Sequence, residues 1–312
     1  MFADLLKAIQ KHETIIIHRH SRPDGDALGS QIGMKYLIEN NFPHKSVYIV
    51  GDGPGYLGFM DGAIMDEIPD GTYDGALAII LDTSSAHMIS DERYTKATMT
   101  ARMDHHIFQG KIAQVEACDS TFESCCGLIT QFALECGLKL NAKAAKALYT
   151  GMVTDSGRFR YDSTNARTLR LASALLEQDF DTNDIYRGLY AETMESKQLR
   201  ARFILKAQLA SSHVAYIYTT KEEMQELGRD VFTISRGMVN TMADLRGVEI
   251  WANFTETDEG VICELRSAEQ NINPIAVKYG GGGHAKACGA TVRDRETAMA
   301  MLDDLKKLIG DM

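Results

Sequence analysis

Positions 20 to 26 read His-Ser-Arg-Pro-Asp-Gly-Asp, placing an imidazole (His20) and two carboxylates (Asp24, Asp26) in one short loop. Neutral imidazole with hard oxygen ligands suits Mn²⁺ and related divalent ions. Asp24 and Asp26 sit two apart, so in a turn they can serve two neighbouring ions. The competing reading is a Pro-Asp-Gly turn with Asp26 capping a helix. Three further segments carry similar chemistry. Ala76 to Leu81 runs into Asp82-Thr83-Ser84-Ser85, Ala101-Arg102-Met103 into Asp104-His105-His106, and Gly151 to Thr154 into Asp155-Ser156-Gly157. Singly, Asp82 reads as a helix cap and His105-His106 as a polar loop. In a parallel α/β sheet, however, ligands bind outside the carboxyl ends of the strands. Four apolar segments delivering Asp or His there converge on one metal site.

The elements that must position these residues alternate. Phe2, Leu5, Leu6 and Ile9 mark one face of a first helix, followed by a strand at 14–17 and a helix at about 28–40. Strands follow near 46–50, 76–81 and 101–104. Residues 124–136 form a helix with Leu128, Ile129, Phe132 and Cys136 at helical spacing and Gly137 as its stop. Further helices are expected at 141–153 and at 165–177, the latter with Leu169, Ala172, Leu175 and Leu176 inward. The pattern is a doubly wound parallel-sheet α/β domain over residues 1–185.

A helix at 192–209, carrying Leu199, Phe203 and Leu205, would lie in a connector over 186–211. Residues 212–312 then form a smaller α+β domain. Its strand at 213–219 precedes Thr220-Lys221-Glu222-Glu223, a capping box for a helix stopped at Gly228. Strands at 248–254 and 261–266 flank a hairpin loop at 256–260. A strand near 288–293 and a helix over 296–309 close the chain. The cleft between the domains is the expected substrate site.

Composition narrows the class. The 312 residues are 45% hydrophobic and 24% charged, ordinary values for a soluble globular protein of two domains. The formal net charge is −10, which argues against a protein that tracks long DNA or RNA with basic stripes. No apolar run approaches the roughly 20 residues of a membrane span. Met1-Phe2-Ala3-Asp4 does not open a secretory signal. The six cysteines, at 118, 125, 126, 136, 263 and 288, have neither zinc spacing nor a disulfide framework. A reducing, cytoplasmic setting is the expectation.

The four motifs resemble those of the DHH phosphoesterase family, with Asp104-His105-His106 as the name-giving triplet. Gly280-Gly281-Gly282-Gly283-His284 resembles the signature of the DHHA1 subfamily. The resemblance runs from about Thr14 to Thr291 without a departure at any motif position. Its layout is similar to the stand-alone nanoRNase/pAp phosphatase group. The resemblance implies two divalent ions, expected to be Mn²⁺. His20, Asp24 and Asp82 would hold one ion; Asp26, Asp82, His105 and Asp155 would hold the other, with Asp82 bridging. Between the ions a hydroxide would form and attack phosphorus. His106 would face the substrate phosphate as hydrogen-bond or proton donor, and Asp104 would orient a histidine. Sequence alone does not distinguish the two rings of His105 and His106.

In the resembling family the second domain holds a phosphate or nucleotide remote from the cleaved bond. Arg266, Ser267, Gly281, Gly282, Gly283 and His284 are the candidates here. A glycine run lets backbone N–H groups approach an anion, or else serves as a flexible hinge. Arg158, in Gly-Arg-Phe-Arg-Tyr after Asp155, either reaches the substrate or is solvated. His18 on the first strand reads as structural, His12, His44, His87 and His213 carry no motif, and Trp251 reads as core. The expected activity is hydrolysis of very short oligoribonucleotides to mononucleotides and removal of the 3′-phosphate of pAp. The alternatives are a phosphodiesterase of linear or cyclic dinucleotide messengers (pApA, c-di-AMP), a pyrophosphatase or polyphosphatase, and a non-catalytic nucleotide-binding module. Partners would be short RNA or a small nucleotide, with no long nucleic acid and no membrane; a homodimer is left open.

Overall fold

A computed structural model of the protein describes residues 2–310. The chain divides into two compact units, Met1–Ala191 and Glu192–Met312. The first is built on five strands: β1 (Thr14–His18), β2 (Ser46–Ile49), β3 (Leu77–Leu81), β4 (Met99–Asp104) and β5 (Val115–Cys118). All pair in parallel, in the order β2-β1-β3-β4-β5. Every residue of β3 is buried, as are Ile15 to His18 of β1, because helices and loops cover both faces of a parallel sheet. From β1 the chain turns to β2 on one side and then to β3 on the other. That reversal opens a crevice at the carboxyl ends of β1 and β3.

Six helices accompany the sheet: α1 (Ala3–Lys11), α2 (Gly25–Asn41), α3 (Cys125–Glu135), α4 (Ala142–Asp155), α5 (Ala166–Leu176) and α6 (Thr182–Tyr190). The last crosses the expected domain limit at 185. Side chains from α2, α3 and α4, among them Leu28, Ile32, Phe132, Leu148 and Met152, fill the core with Ile15, Ile17 and Ile79. The helix expected at 141–153 runs on to Asp155, its last residue, and α2 begins at Gly25 rather than near residue 28, with Asp24, not Asp26, as its cap. In α5 the inward stripe is Thr168, Leu171, Ala172 and Leu175, while Leu169 and Leu176 are exposed. Thr168 sets that phase: its hydroxyl donates to buried Glu123.

The second unit contains a six-stranded sheet in the order β10-β11-β9-β8-β7-β6. Its elements are α7 (Met194–Lys206), β6 (Gln208–Leu209), β7 (Val214–Thr219), α8 (Lys221–Leu227), α9 (Val231–Val239), β8 (Ile250–Thr257), β9 (Gly260–Ser267), α10 (Asn273–Lys278), β10 (Gly282–His284), β11 (Ala287–Val292) and α11 (Arg295–Leu308). Only β7 and β8 pair in parallel. The β8–β9 hairpin is tighter than expected, since Thr257 already pairs with Gly260. In α7 Phe203 is buried but Leu205 is exposed. Trp251 is half-buried and packs against a small cluster with Phe203 and Ile217.

The approach of α2 to α4 sets where the carboxylates fall. A Cβ at Gly29 would lie 2.7 Å from the Ala147 carbonyl oxygen, and one at Gly33 2.6 Å from the Leu148 side chain. A carbonyl in a helix cannot swing away. Overpacking costs about 1–3 kcal/mol, and the better helix propensity of alanine returns about 1 kcal/mol. Gly29→Ala is therefore expected to lower the urea unfolding midpoint. A raised midpoint would mean that the two helices are not held at this distance.

Candidate metal centre

Three loops and two helix ends bring the motif residues together. Asp24 Oδ1 accepts the Asp26 and Ala27 N–H groups at 3.0 Å each, which fixes the start of α2 and turns Asp26 inward. Asp26 is buried, and its two oxygens accept the N–H groups of Cys125 (2.6 Å) and Cys126 (2.9 Å) at the amino end of α3. A helix start is a natural seat for a carboxylate. Asp82 leaves β3 with φ +50°, a left-handed conformation uncommon for a non-glycine residue. Its N–H donates to Met103 O at 3.0 Å, pinning the turn to β4.

Two histidines point their Nε2 atoms into this carboxylate cluster. His20 Nδ1 lies 2.8 Å from Ser21 O, and His105 Nδ1 lies 3.3 Å from Phe122 O. With each Nδ1–H donated to a carbonyl, Nε2 is the free ligand atom, the arrangement typical of metal-binding histidine. His20 Nε2 stands 3.6 Å from Asp82 Oδ2 and 3.9 Å from Asp24 Oδ1. His105 Nε2 stands 3.4 Å from Asp82 Oδ1, 3.4 Å from Asp155 Oδ2 and 3.7 Å from Asp26 Oδ2. Most of these separations are too long for good hydrogen bonds. They suit neighbouring ligands of one ion, which at bonds of about 2.1 Å lie roughly 3.0–3.5 Å apart.

Ligand atoms of His20, Asp24 and Asp82 lie within 4.8 Å of one another, as do those of Asp26, His105 and Asp155 and those of Asp82, His105 and His106. Asp82 Oδ1 is buried without a hydrogen-bond partner, which suits it to a cation ligand. The donor set of imidazoles and carboxylates fits hard divalent metal chemistry. His106 behaves differently from His105. It is half exposed, and its Nδ1 lies 2.7 Å from Asp104 Oδ1. Asp104 is fully buried and paired with Arg102, itself fully buried.

Sequence reading did not single out Arg102 or Arg19. Arg19, buried after β1, donates to Gln31 Oε1 (2.9 Å), His20 O (3.0 Å) and Asp52 Oδ1 (2.9 Å), so it fixes the loop that carries His20. The available signal was a charge directly after the apolar run Ile15-Ile16-Ile17. Arg158 has φ +64° and stacks its guanidinium 4.5 Å from the Tyr190 ring.

In the second unit, Arg266 lies near the end of β9, paired with Glu264 at 3.1 Å and donating to Leu265 O at 2.8 Å. His284 and Arg266 both stand opposite Ala287, on the strands flanking it. The Ser267 hydroxyl donates to Gln270 O. The glycine run is not a hinge but is fixed in the second sheet and the end of α10. Gly280 and Gly281 donate to Val277 O and Ala276 O, closing α10, and Gly282 and Gly283 enter β10. A side chain at Gly281 would collide with the Gly289 carbonyl, and Gly283 has φ +134°.

The electrostatics of the centre are those of a site waiting for positive charge. Burial opposes charging of His20, yet Asp24 and Asp82 override it and push its pKa up to about 10. His105 rises likewise to about 10, with Asp82, Asp26 and Asp155 overcoming burial. Burial lifts Asp155 to about 7, and burial with the Asp82 charge lifts Asp26 well above the usual carboxylate range. Asp82 is held low despite burial, because His105 and His20 face it. Near neutral pH, metal-free protein therefore keeps protons on both imidazoles. A metal must displace them, so affinity rises with pH until these groups have titrated. Calorimetric Mn²⁺ binding should release protons, with an enthalpy that differs between buffers of different ionisation enthalpy. Identical enthalpies would contradict the protonated resting state.

The family model described as DHH family, N-terminal domain, matches residues 14–152, and the model for the DHHA1 domain matches 232–311. A Bacillus subtilis (strain 168) protein named bifunctional oligoribonuclease and PAP phosphatase NrnA is 32% identical over 311 residues, covering 99% of this chain and 98% of that protein. A Streptococcus mutans protein named probable bifunctional oligoribonuclease and PAP phosphatase NrnA is 34% identical over 309 residues, covering 99% of each. The crystal structure of an exopolyphosphatase-related protein from Bacteroides fragilis shares the fold, with a TM-score of 0.82 at 24% identity over 97% of this chain and 94% of that one. With relatives matched over nearly their whole length, the chain belongs to the DHH family of metal-dependent phosphoesterases and carries a DHHA1 domain.

Proposed function

We propose that this protein is a Mn²⁺-dependent phosphoesterase that cleaves very short oligoribonucleotides to mononucleotides and removes the 3′-phosphate of pAp. The observation that carries the reading is Asp82, whose two oxygens face two separate clusters, Oδ2 toward His20 and Oδ1 toward His105. His20, Asp24 and Asp82 would hold one ion; Asp26, Asp82, His105 and Asp155 would hold a second. Bound divalent ions supply Lewis-acid charge to the nucleophile and to the phosphoryl oxygens. The names of the Bacillus subtilis and Streptococcus mutans relatives support the substrate class.

The remaining steps fall to the chain's own residues. His106 donates from Nε2 to the scissile phosphate or its leaving oxygen. Asp104 keeps that ring oriented through Nδ1 and raises its pKa, which favours the proton-carrying form of the donor. Arg102 in turn keeps Asp104 charged and fixed, holding its pKa down together with His106 against the effect of burial. Arg266, Ser267, Gly281, Gly282, Gly283 and His284 grip a phosphate remote from the cleaved bond, and Arg158 lies ready to contact the substrate. The net charge of −10 favours a substrate with few phosphates.

One panel tests this reading: pAp, a 5′-phosphorylated dinucleotide, a pentanucleotide, a long RNA, pyrophosphate and bis-p-nitrophenyl phosphate, each with Mn²⁺. Turnover should be strong on pAp and the shortest RNAs, fall steeply with length, and show a shallow salt dependence. In Arg266→Ala the ratio of pAp to bis-p-nitrophenyl phosphate activity should drop by about 10–100-fold, the scale of one charge-assisted hydrogen bond. Equal kcat/KM on a dinucleotide and a long RNA would instead identify a processive nuclease. Equal losses on both small substrates in Arg266→Ala would place that residue outside phosphate holding.

A further inference from the structure

Directly after His105-His106 the chain exposes two large apolar side chains, Ile107 (80% exposed) and Phe108 (56% exposed). Neither is explained by the metal centre. Phe108 nevertheless has one packing partner, and its loop is anchored on two sides. The guanidinium of fully buried Arg102 lies 5.7 Å from its ring centroid, within cation–π range. The same guanidinium donates to Gly110 O at 3.0 Å, and the neighbouring Gln109 Oε1 accepts the Ser85 hydroxyl at 2.9 Å. The loop is thus tied to β4 on one side and to the segment after Asp82 on the other.

A cavity of about 370 Å³ opens here, lined by His106, Phe108, Glu116, Cys118, Asp119 and Ser120. That volume is within the range of small-molecule sites. Its polarity says which part of a ligand it takes. Apart from His106 no cationic side chain lines it, while Glu116 and Asp119 bring negative charge, so a second phosphate is repelled. Both carboxylate oxygens of Glu116 are already engaged, Oε1 by the Ile112 and Ala113 N–H groups and Oε2 by Cys118 and Arg102. Asp119 is bonded to Thr121 through Oδ1 alone, so these bonds leave its Oδ2 unused.

We infer that Phe108 and this cavity form a nucleobase subsite next to the scissile phosphate, in which a base of the substrate stacks on the Phe108 ring. The inference rests on the nucleotide-hydrolase reading above and deepens it. His106 belongs to both places: it lines the cavity and, in that reading, faces the reacting phosphate, so a nucleotide anchored by its phosphate has its base within reach of Phe108. Stacking uses the face of the ring and tolerates every base. A chain that degrades short RNA of mixed sequence needs that tolerance.

The test is equilibrium binding to the Mn²⁺-loaded protein, read by calorimetry with AMP, UMP and ribose 5-phosphate. Wild type should bind AMP about tenfold or more tightly than ribose 5-phosphate, the scale of one base–aromatic stack. UMP should also bind more tightly than ribose 5-phosphate. Phe108→Ala should remove most of the advantage of AMP, and Phe108→Trp should restore it. Because Phe108 is largely exposed, the Trp variant and unchanged affinity for ribose 5-phosphate separate lost stacking from lost fold. Unaltered AMP affinity in Phe108→Ala, or equal binding of AMP and ribose 5-phosphate to wild type, overturns the inference. Absence of pAp or RNA hydrolysis by wild type with base-dependent binding intact would sink the proposed activity and leave the subsite standing.

Discussion

The structure of the first unit depends on one buried carboxylate. Asp82 sits at the carboxyl end of the central strand β3 in a left-handed conformation, 2% exposed, with Oδ1 lacking a hydrogen-bond partner. An ionised, unpaired carboxylate in such a place is costly unless positive charge faces it. Two imidazoles supply that charge when no metal is bound. On the proposed reading, divalent ions would supply it better, since they would also face Asp24, Asp26 and Asp155.

Convergence of those carboxylates is a packing result as much as an electrostatic one. The glycines on α2 let it approach α4, and Gly151 on α4 lies where a Cβ would meet Asp26 Oδ1 at 2.9 Å. That contact places Asp26 and the end of α4, with Asp155, on the same side of the crevice. The amino end of α3 then fixes both oxygens of Asp26 through Cys125 and Cys126. These adjacent thiols are buried, and their pKa is raised by burial and then by the nearby Asp26 charge, so they remain protonated packing groups. Arg102 couples the centre to the loop beyond it, holding Asp104 with one arm and Gly110 with the other.

Much of this was legible in the sequence. The apolar runs Ile15-Ile16-Ile17 and Leu77 to Leu81 announced buried parallel strands, and the Asp and His residues after them announced a site at their ends. Asp155 was reached through an expected helix at 141–153, which in the structure runs two residues further and ends on Asp155 itself. The phase of α5 was misjudged because leucine spacing was counted and the buried hydroxyl of Thr168 was not. The inequality of His105 and His106 came only through the family resemblance, not from the residues themselves. It is set by Phe122 O and Asp104, partners supplied through tertiary structure. Phe108 carried no motif, and its meaning comes only from the cavity around it.

The central claim is that Asp82 is shared by two ions, one oxygen to each. Anomalous diffraction at the manganese edge, from crystals grown with Mn²⁺, tests it most directly. The account requires two peaks about 3.5–4 Å apart, one bonded to Asp82 Oδ2 beside His20 and Asp24, the other to Asp82 Oδ1 beside Asp26, His105 and Asp155. A single peak, or two peaks with Asp82 bound to only one of them, would contradict it.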